Sequence, residues 1–312
     1  MNRKMEERMI APGSEAALFC NARDVVGESI IWDDRRGVLL WVDIVGRRIH
    51  SLDPRSGEHR IWSVPEFPTS IGLRDDGGAI LGLTRRIALW DYDDRFETLA
   101  VPEPDLPANR LNEGRVAPDG SFWVGTMSTN LTDAGDPKPQ GPKSGHYYRV
   151  DGSGHVMRLS DDVFGITNTM VWPAPGLFVT ADTIDNTLYR YSVSPDGLKL
   201  TERGVFSGPF ARGLPDGSCI DSEGGIWTCR VVGGQCVTRT LADGSIDRVI
   251  ELPCSWPTSC AFGGEDFGTL FVTSARFTMS AEHLTANPQE GGLFAVRPGV
   301  RGAIEPRFLS HQ

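Results

Sequence analysis

Six side chains in this sequence combine a type and a spacing that could do chemistry: Glu28, Arg110, Asn112, Glu113, Asn168 and Asp216. Each stands just ahead of a short apolar run, and the runs are separated by turn residues. Carboxylates and carboxamides drawn together from such positions form an all-oxygen donor set. That set suits a hard divalent cation such as calcium, magnesium or manganese better than a soft one. Zinc favours His and Cys ligands, which these positions lack. Asp and Asn ahead of Gly or Thr also serve as ordinary turn formers. Glu is depleted in turns, so Glu28 directly before an apolar strand has no turn role to explain it.

Positioning these residues requires a fold that brings distant strand starts to one place. The stretch 213–229 shows the local unit: a turn carrying Asp216, an apolar strand through Cys219 and Ile220, a break at 221–225, and a second strand, Ile226-Trp227-Thr228-Cys229. Period-2 alternation broken by Asp/Gly turns reads as a hairpin with Asp216 just before its first strand. The same grammar recurs with turn glycines at Gly37, Gly77, Gly120, Gly176, Gly224 and Gly268. The spacing is roughly forty to fifty-five residues, the period of a β-propeller blade. Six markers predict an all-β, six-bladed propeller with four antiparallel strands per blade. The polar residues at strand starts then face the mouth of its central channel.

The ring is expected to close through an N-terminal strand at 17–26, lying beside strands at 292–296 and 306–309. Residues 1–14 read as a mobile tail and 15–312 as a single propeller domain. Helix signal is confined to 280–286. The Pro/Gly-rich stretch 131–145 reads as a surface loop, of the kind that forms a lid or an entrance wall. His146 at its exit suits either the entrance or the outer surface. Trp32, Trp41, Trp123, Trp172 and Trp227 fall at repeat positions that predict inter-blade core.

The totals narrow the function class. The chain has 312 residues, 36 Gly, 21 Pro and a net charge of −10. That balance argues against a nucleic-acid or anionic-membrane partner, either of which calls for a basic stripe. No apolar run approaches the ~18 residues of a membrane span. The six cysteines form no CxxC pair, and the N-terminus shows no secretory pattern, so buried free thiols in a cytoplasmic protein are expected. No G-x-S-x-G elbow is present, which sets aside a Ser-His-Asp triad.

Longer motifs carry a resemblance. Gly27-Glu28-Ser29 with Trp32 and Leu40-Trp41-Val42-Asp43, then 110–127, 214–221 and 257–264 in that order, resemble the regucalcin / senescence-marker-protein / gluconolactonase family. The resemblance implies one divalent metal in the channel, calcium foremost, with zinc, manganese, magnesium and iron as the other candidates. It implies a metal-dependent hydrolase that opens lactones of sugar acids, with the lactone as its partner and no obligatory protein partner. Residue by residue, it makes Glu28, Asn168 and Asp216 the metal ligands, Asp216 also the base with a depressed pKa, and Arg110 and Asn112 the substrate contacts. Three positions depart from the family pattern. Glu113 stands where Asp is common, Thr169 where Gly usually follows the metal-binding Asn, and Ser128-Thr129-Asn130 where some members carry an acid that touches the sugar. Asn130 therefore stands as a further substrate contact. The competing expectations are a metal-dependent aryl esterase or phosphotriesterase on the same scaffold, and a non-enzymatic calcium-binding propeller.

Overall fold

The computed structural model describes residues 15–310, so the expected tail at 1–14 and the last two residues lie outside the described residues. Six antiparallel sheets follow one another along the chain, beginning with Gly27–Asp33, Ser70–Arg74, Asn109–Val116, Thr167–Ala174, Leu214–Ile220 and Pro257–Gly263. These first strands lie side by side around a closed ring, the sixth against the first. The molecule is a six-bladed β-propeller. Within each blade the strands that follow one another along the chain pair in sequence order, as hairpin connections dictate.

The ring closes as expected at one point and differently at another. Ala17–Cys20 pairs antiparallel with Leu293–Val296 and completes the sixth blade. The segment at 306–309, expected beside it, instead runs parallel to Ser70–Arg74 in the second blade, with Arg307 opposite Leu73 and Phe308 opposite Arg74. Ser70–Arg74 is an innermost strand, so this added strand lies within the channel, where Phe308 is fully buried. The approach is close. A side chain on Gly120, whose φ is +81°, would meet Leu309 at 2.5 Å. The sixth-blade turn lies at the expected place, with positive φ at Gly264 and Phe267.

The core consists of apolar faces pressed between blades. Trp41, Trp123 and Trp227 are essentially inaccessible on second strands, while Trp32 and Trp172 belong to first strands, so the five occupy two repeat positions rather than one. Trp123 meets Trp172 edge-on at 5.2 Å. The one described helix, Ala281–Ala286, is capped by Ser280 and lies between strands of the sixth blade.

Candidate active site at the channel mouth

The residues singled out for chemistry do not precede the innermost strands; they lie within them, at β-bulges. Pairing between first and second strands slips between Glu28 and Ile31, Leu111 and Gly114, Asn168 and Met170, Pro215 and Ser218, and Pro257 and Cys260. The second blade keeps an unbroken register there and supplies none of these residues. A bulge frees one residue from the ladder and re-aims its side chain, here toward the ring axis. Ser29 and Thr169, directly after Glu28 and Asn168, adopt φ of +51°. Such a conformation is costly for a β-branched residue and persists where surrounding bonds hold it.

Glu28, Arg110, Asn112, Asn130, Asn168 and Asp216 all line one cavity of 380 Å³ at the mouth. All but the half-buried Asn130 are buried. Asn168 donates from Nδ2 to Thr183 Oγ1 at 2.8 Å, which leaves its Oδ1 as an acceptor on the cavity side, 3.4 Å from Asn112 Nδ2. Thr183 in turn donates to the Pro215 carbonyl at 2.8 Å and ties the fourth blade to the fifth. Glu28 accepts from the Ser29 amide at 3.2 Å.

Arg110 is engaged by its neighbours. Its Nη1 donates to Asn112 Oδ1 at 2.7 Å and to the Leu111 carbonyl at 2.9 Å, and its Nη2 donates to Asn130 Oδ1 at 3.2 Å. The guanidinium thus orients both carboxamides by their oxygens. Asn112 Nδ2 continues to the Thr167 carbonyl at 2.8 Å. Burial lowers the Arg110 pKa to about 10, against the attraction of Glu28 and Asp216.

The two carboxyls are held under electrostatic stress. Within the protein's own charges, burial pushes both well above the carboxylate range, helped for Asp216 by Glu113 and for Glu28 by Asp216 and Glu113. The depressed pKa expected of Asp216 belongs to the state with a cation beside it, whose charge acts against this upward push. The two carboxyls line the same cavity, and among the described residues neither forms an ion pair. Crowded, buried, unpaired carboxyls with a carboxamide oxygen alongside fit a hard divalent cation. Among the described residues no three His, Cys, Asp or Glu side chains gather at metal-ligand spacing, so the candidate set depends on Asn168 as its third member.

Two expectations change. Glu113 faces Arg115, with Oε1 and Nε 3.5 Å apart, on the channel side away from this cavity. His146 is buried, pairs with the Asp162 carbonyl at 2.8 Å, and lines neither the entrance nor the outer surface. Sequence reasoning missed Thr183, which carries no motif, and Lys138 and Gln140, which line the cavity from the 131–145 loop. That loop forms an entrance wall. Lys138 is one of two lysines in a Pro/Gly-rich stretch, and this was the available signal.

Comparison with known proteins bears on the family and the fold. A family profile described as the SMP-30/Gluconolactonase/LRE-like region matches residues 26–276. A 6-deoxy-6-sulfogluconolactonase from Pseudomonas putida is 38% identical over 288 residues, covering 91% of this chain and 95% of that protein. An L-arabinolactonase from Azospirillum brasilense is 31% identical, covering 96% and 98%. The crystal structure of a calcium-binding protein, regucalcin, from Agrobacterium tumefaciens superposes with a TM-score of 0.85 at 29% identity, covering 95% and 98%. With the profile spanning most of the chain and these relatives matching nearly end to end, the protein belongs to the SMP-30/gluconolactonase/LRE-like family.

Proposed function

We propose that this protein is a metal-dependent lactonase that opens the ring of a sugar-acid lactone to the free acid. The observation that carries the reading is the convergence of Glu28, Asn168 and Asp216 with Arg110, Asn112 and Asn130 on one cavity. Relatives named for 6-deoxy-6-sulfogluconolactone and L-arabinolactone support the substrate class, and a relative described as calcium-binding supports a divalent cation.

Glu28, Asn168 and Asp216 would hold the cation, calcium foremost. The bound ion supplies Lewis acidity that polarises the lactone carbonyl and favours the oxyanion. Asn112 and Asn130, with their amides set by Arg110, would take the sugar hydroxyls and fix the ring. Asp216 would accept a proton from water as the water oxygen adds to the carbonyl carbon. The ring C–O bond then breaks, and the proton passes from Asp216 to the departing ring oxygen, which becomes a hydroxyl. A placed general base contributes about 10²–10⁴-fold. A cluster built from amides and a guanidinium suits a hydroxylated ring better than an apolar phosphotriester. The six free thiols, five of them buried, agree with a cytoplasmic setting.

The test is to strip the purified protein of metal, reload it with calcium, manganese, magnesium or zinc, and follow acid release from glucono-, galactono-, xylono- and arabinonolactone beside a paraoxon-like ester. Metal-dependent opening of an aldonolactone is expected. Turnover of none of them with any metal, or of the ester alone, would overturn the reading.

A further inference from the structure

Although the chain carries a net charge of −10, the outer wall of the site is cationic. Arg110 and Lys138 line the mouth cavity and also an adjoining pocket of 670 Å³ beneath the 131–145 loop, which adds Arg85. Asp133 is the one acid on that pocket's wall. Among the described residues none of these three cations is paired with a carboxylate, whereas their neighbours are. Arg86 binds Glu66 at 2.8 Å, and the loop's other lysine, Lys143, binds Asp182 at 2.9 Å and also Asp185.

The loop is built to hold Lys138 in place. Its amide donates to the Asn130 carbonyl at 2.7 Å, Thr132 receives Gly135 and donates to Asp136, each at 2.9 Å, and Leu131 is buried. Arg85 donates to the Glu103 carbonyl at 3.4 Å, a neutral partner that leaves its charge uncompensated. At the mouth, Glu28 and Asp216 are balanced by Arg110 and Lys138 alone, so a divalent cation on the two carboxyls gives the cavity an excess of positive charge.

We propose that the pocket beneath the 131–145 loop is an anion-binding subsite in which Lys138, backed by Arg85, reads a sulfonate, phosphate or carboxylate on the end of the sugar lactone remote from the reacting carbonyl. This rests on the lactonase reading above. The ring occupies the mouth against Asn112 and Asn130, and the anionic substituent extends toward the loop. In a protein whose overall field repels anions, this local reversal of sign makes the charged tail a specificity determinant.

Two measurements test it. The first compares kcat/KM for glucono-1,5-lactone with that for counterparts bearing a phosphate, a sulfonate or a carboxylate at C-6. At least one anionic lactone is expected to exceed the neutral one by about tenfold, the scale of one charge-assisted hydrogen bond, and the best of the three names the anion. K138Q should lower that anionic-to-neutral ratio by about tenfold and K138E further, with about 0.5 M salt acting in the same direction. Parity between neutral and all anionic lactones, or a ratio unchanged in both variants, would overturn the subsite. The second measurement is calorimetric binding of D-glucitol 6-phosphate and D-glucitol to the calcium-loaded protein, which involves no hydrolysis. Tighter binding of the phosphate, lost in K138E, is expected; equal binding of the two would reject the subsite. Should no lactone be opened, the function reading fails and this second measurement still decides the subsite.

Discussion

The hydroxyl of Thr169 donates to the backbone carbonyl of Asp216 at 2.7 Å. The same oxygen lies 2.7 Å from Ser218 Oγ, so one side chain spans the fourth and fifth blades on either side of Asp216. Thr169 directly follows Asn168 and holds φ at +51°. The strain of one bulge is thus met by hydrogen bonds to the next, and the two candidate ligand residues become mechanically linked.

Thr169→Val keeps the shape and the backbone cost but removes the hydroxyl, leaving the buried Asp216 carbonyl short of a donor. A loss of about 1–3 kcal/mol is expected, together with weaker calcium binding. Denaturant unfolding with and without calcium measures both. Equal stability and equal calcium response in the variant would show that the two bulges are not coupled.

Glu28 and Asp216 are crowded and buried, so a cation that binds them should stabilise the fold. At a hundred times Kd the gain is about 2.7 kcal/mol, read as a rise in Tm on adding calcium. Asp216→Asn removes one charge while keeping the shape. It should abolish the calcium-induced rise and cut kcat by about 10²-fold or more, while the metal-free protein unfolds at the wild-type temperature or above. A variant that still gains stability from calcium would place the ion elsewhere.

The propeller was legible because each blade is built from local hairpins whose turn residues repeat at a fixed period, and Glu28 stood out because an acid directly ahead of an apolar strand has no local purpose. The strand Ala17–Cys20 was legible for the same reason of alternation. The two-residue parallel pairing of Arg307 and Phe308 carries no periodic signal and depends only on what the channel leaves unfilled. The bulges were hidden because a one-residue slip is a property of two strands together. Thr183 was hidden because its value lies in the Asn168 amide it anchors across the hairpin.

Arg110 spends its Nη1 and Nη2 on Asn112, Leu111 and Asn130, which makes it a positioning residue for two carboxamides. Lysine keeps the charge but cannot reach two diverging oxygens from one plane. Arg110→Lys should lower kcat/KM by about tenfold to a hundredfold, mostly through KM, and Arg110→Gln by more. Steady-state kinetics on the best lactone decide the point. A wild-type KM in Arg110→Lys would mean that charge alone suffices.

His59 gives stability a pH dependence away from the site. Its Nε2 lies 2.9 Å from His50 Nδ1, and its ring stacks near Trp41 with Cys20 alongside. Burial first, then the charges of His50 and Arg48, lower its pKa to about 4. Between pH 6.5 and 4 the unfolded chain therefore binds more protons at this residue than the folded one does. Its contribution is complete above pH 6.5 and is lost progressively as the pH falls toward 4. His59→Gln should flatten the fall in Tm over that interval relative to wild type. Parallel curves for the two proteins would assign the dependence to other groups.

The far end of the channel is closed by the chain's own C-terminal segment. Ser222 donates to the Arg301 carbonyl at 2.7 Å, Glu305 meets Arg115 at 3.2 Å, and Leu309 donates to the Gly120 carbonyl at 3.0 Å, so one strap crosses from the fifth blade to the second. Phe308 packs there among Ile80, Val116 and Phe122. This strap lies at the end opposite the candidate site, whose mouth the 131–145 loop lines together with residues of the other blades. Phe308→Ala should then cost about 3–5 kcal/mol in denaturant unfolding while kcat/KM at low temperature stays at the wild-type value. A fall in kcat/KM with the fold intact would mean that the strap shapes the site through Arg115 and Glu113 rather than merely closing the ring.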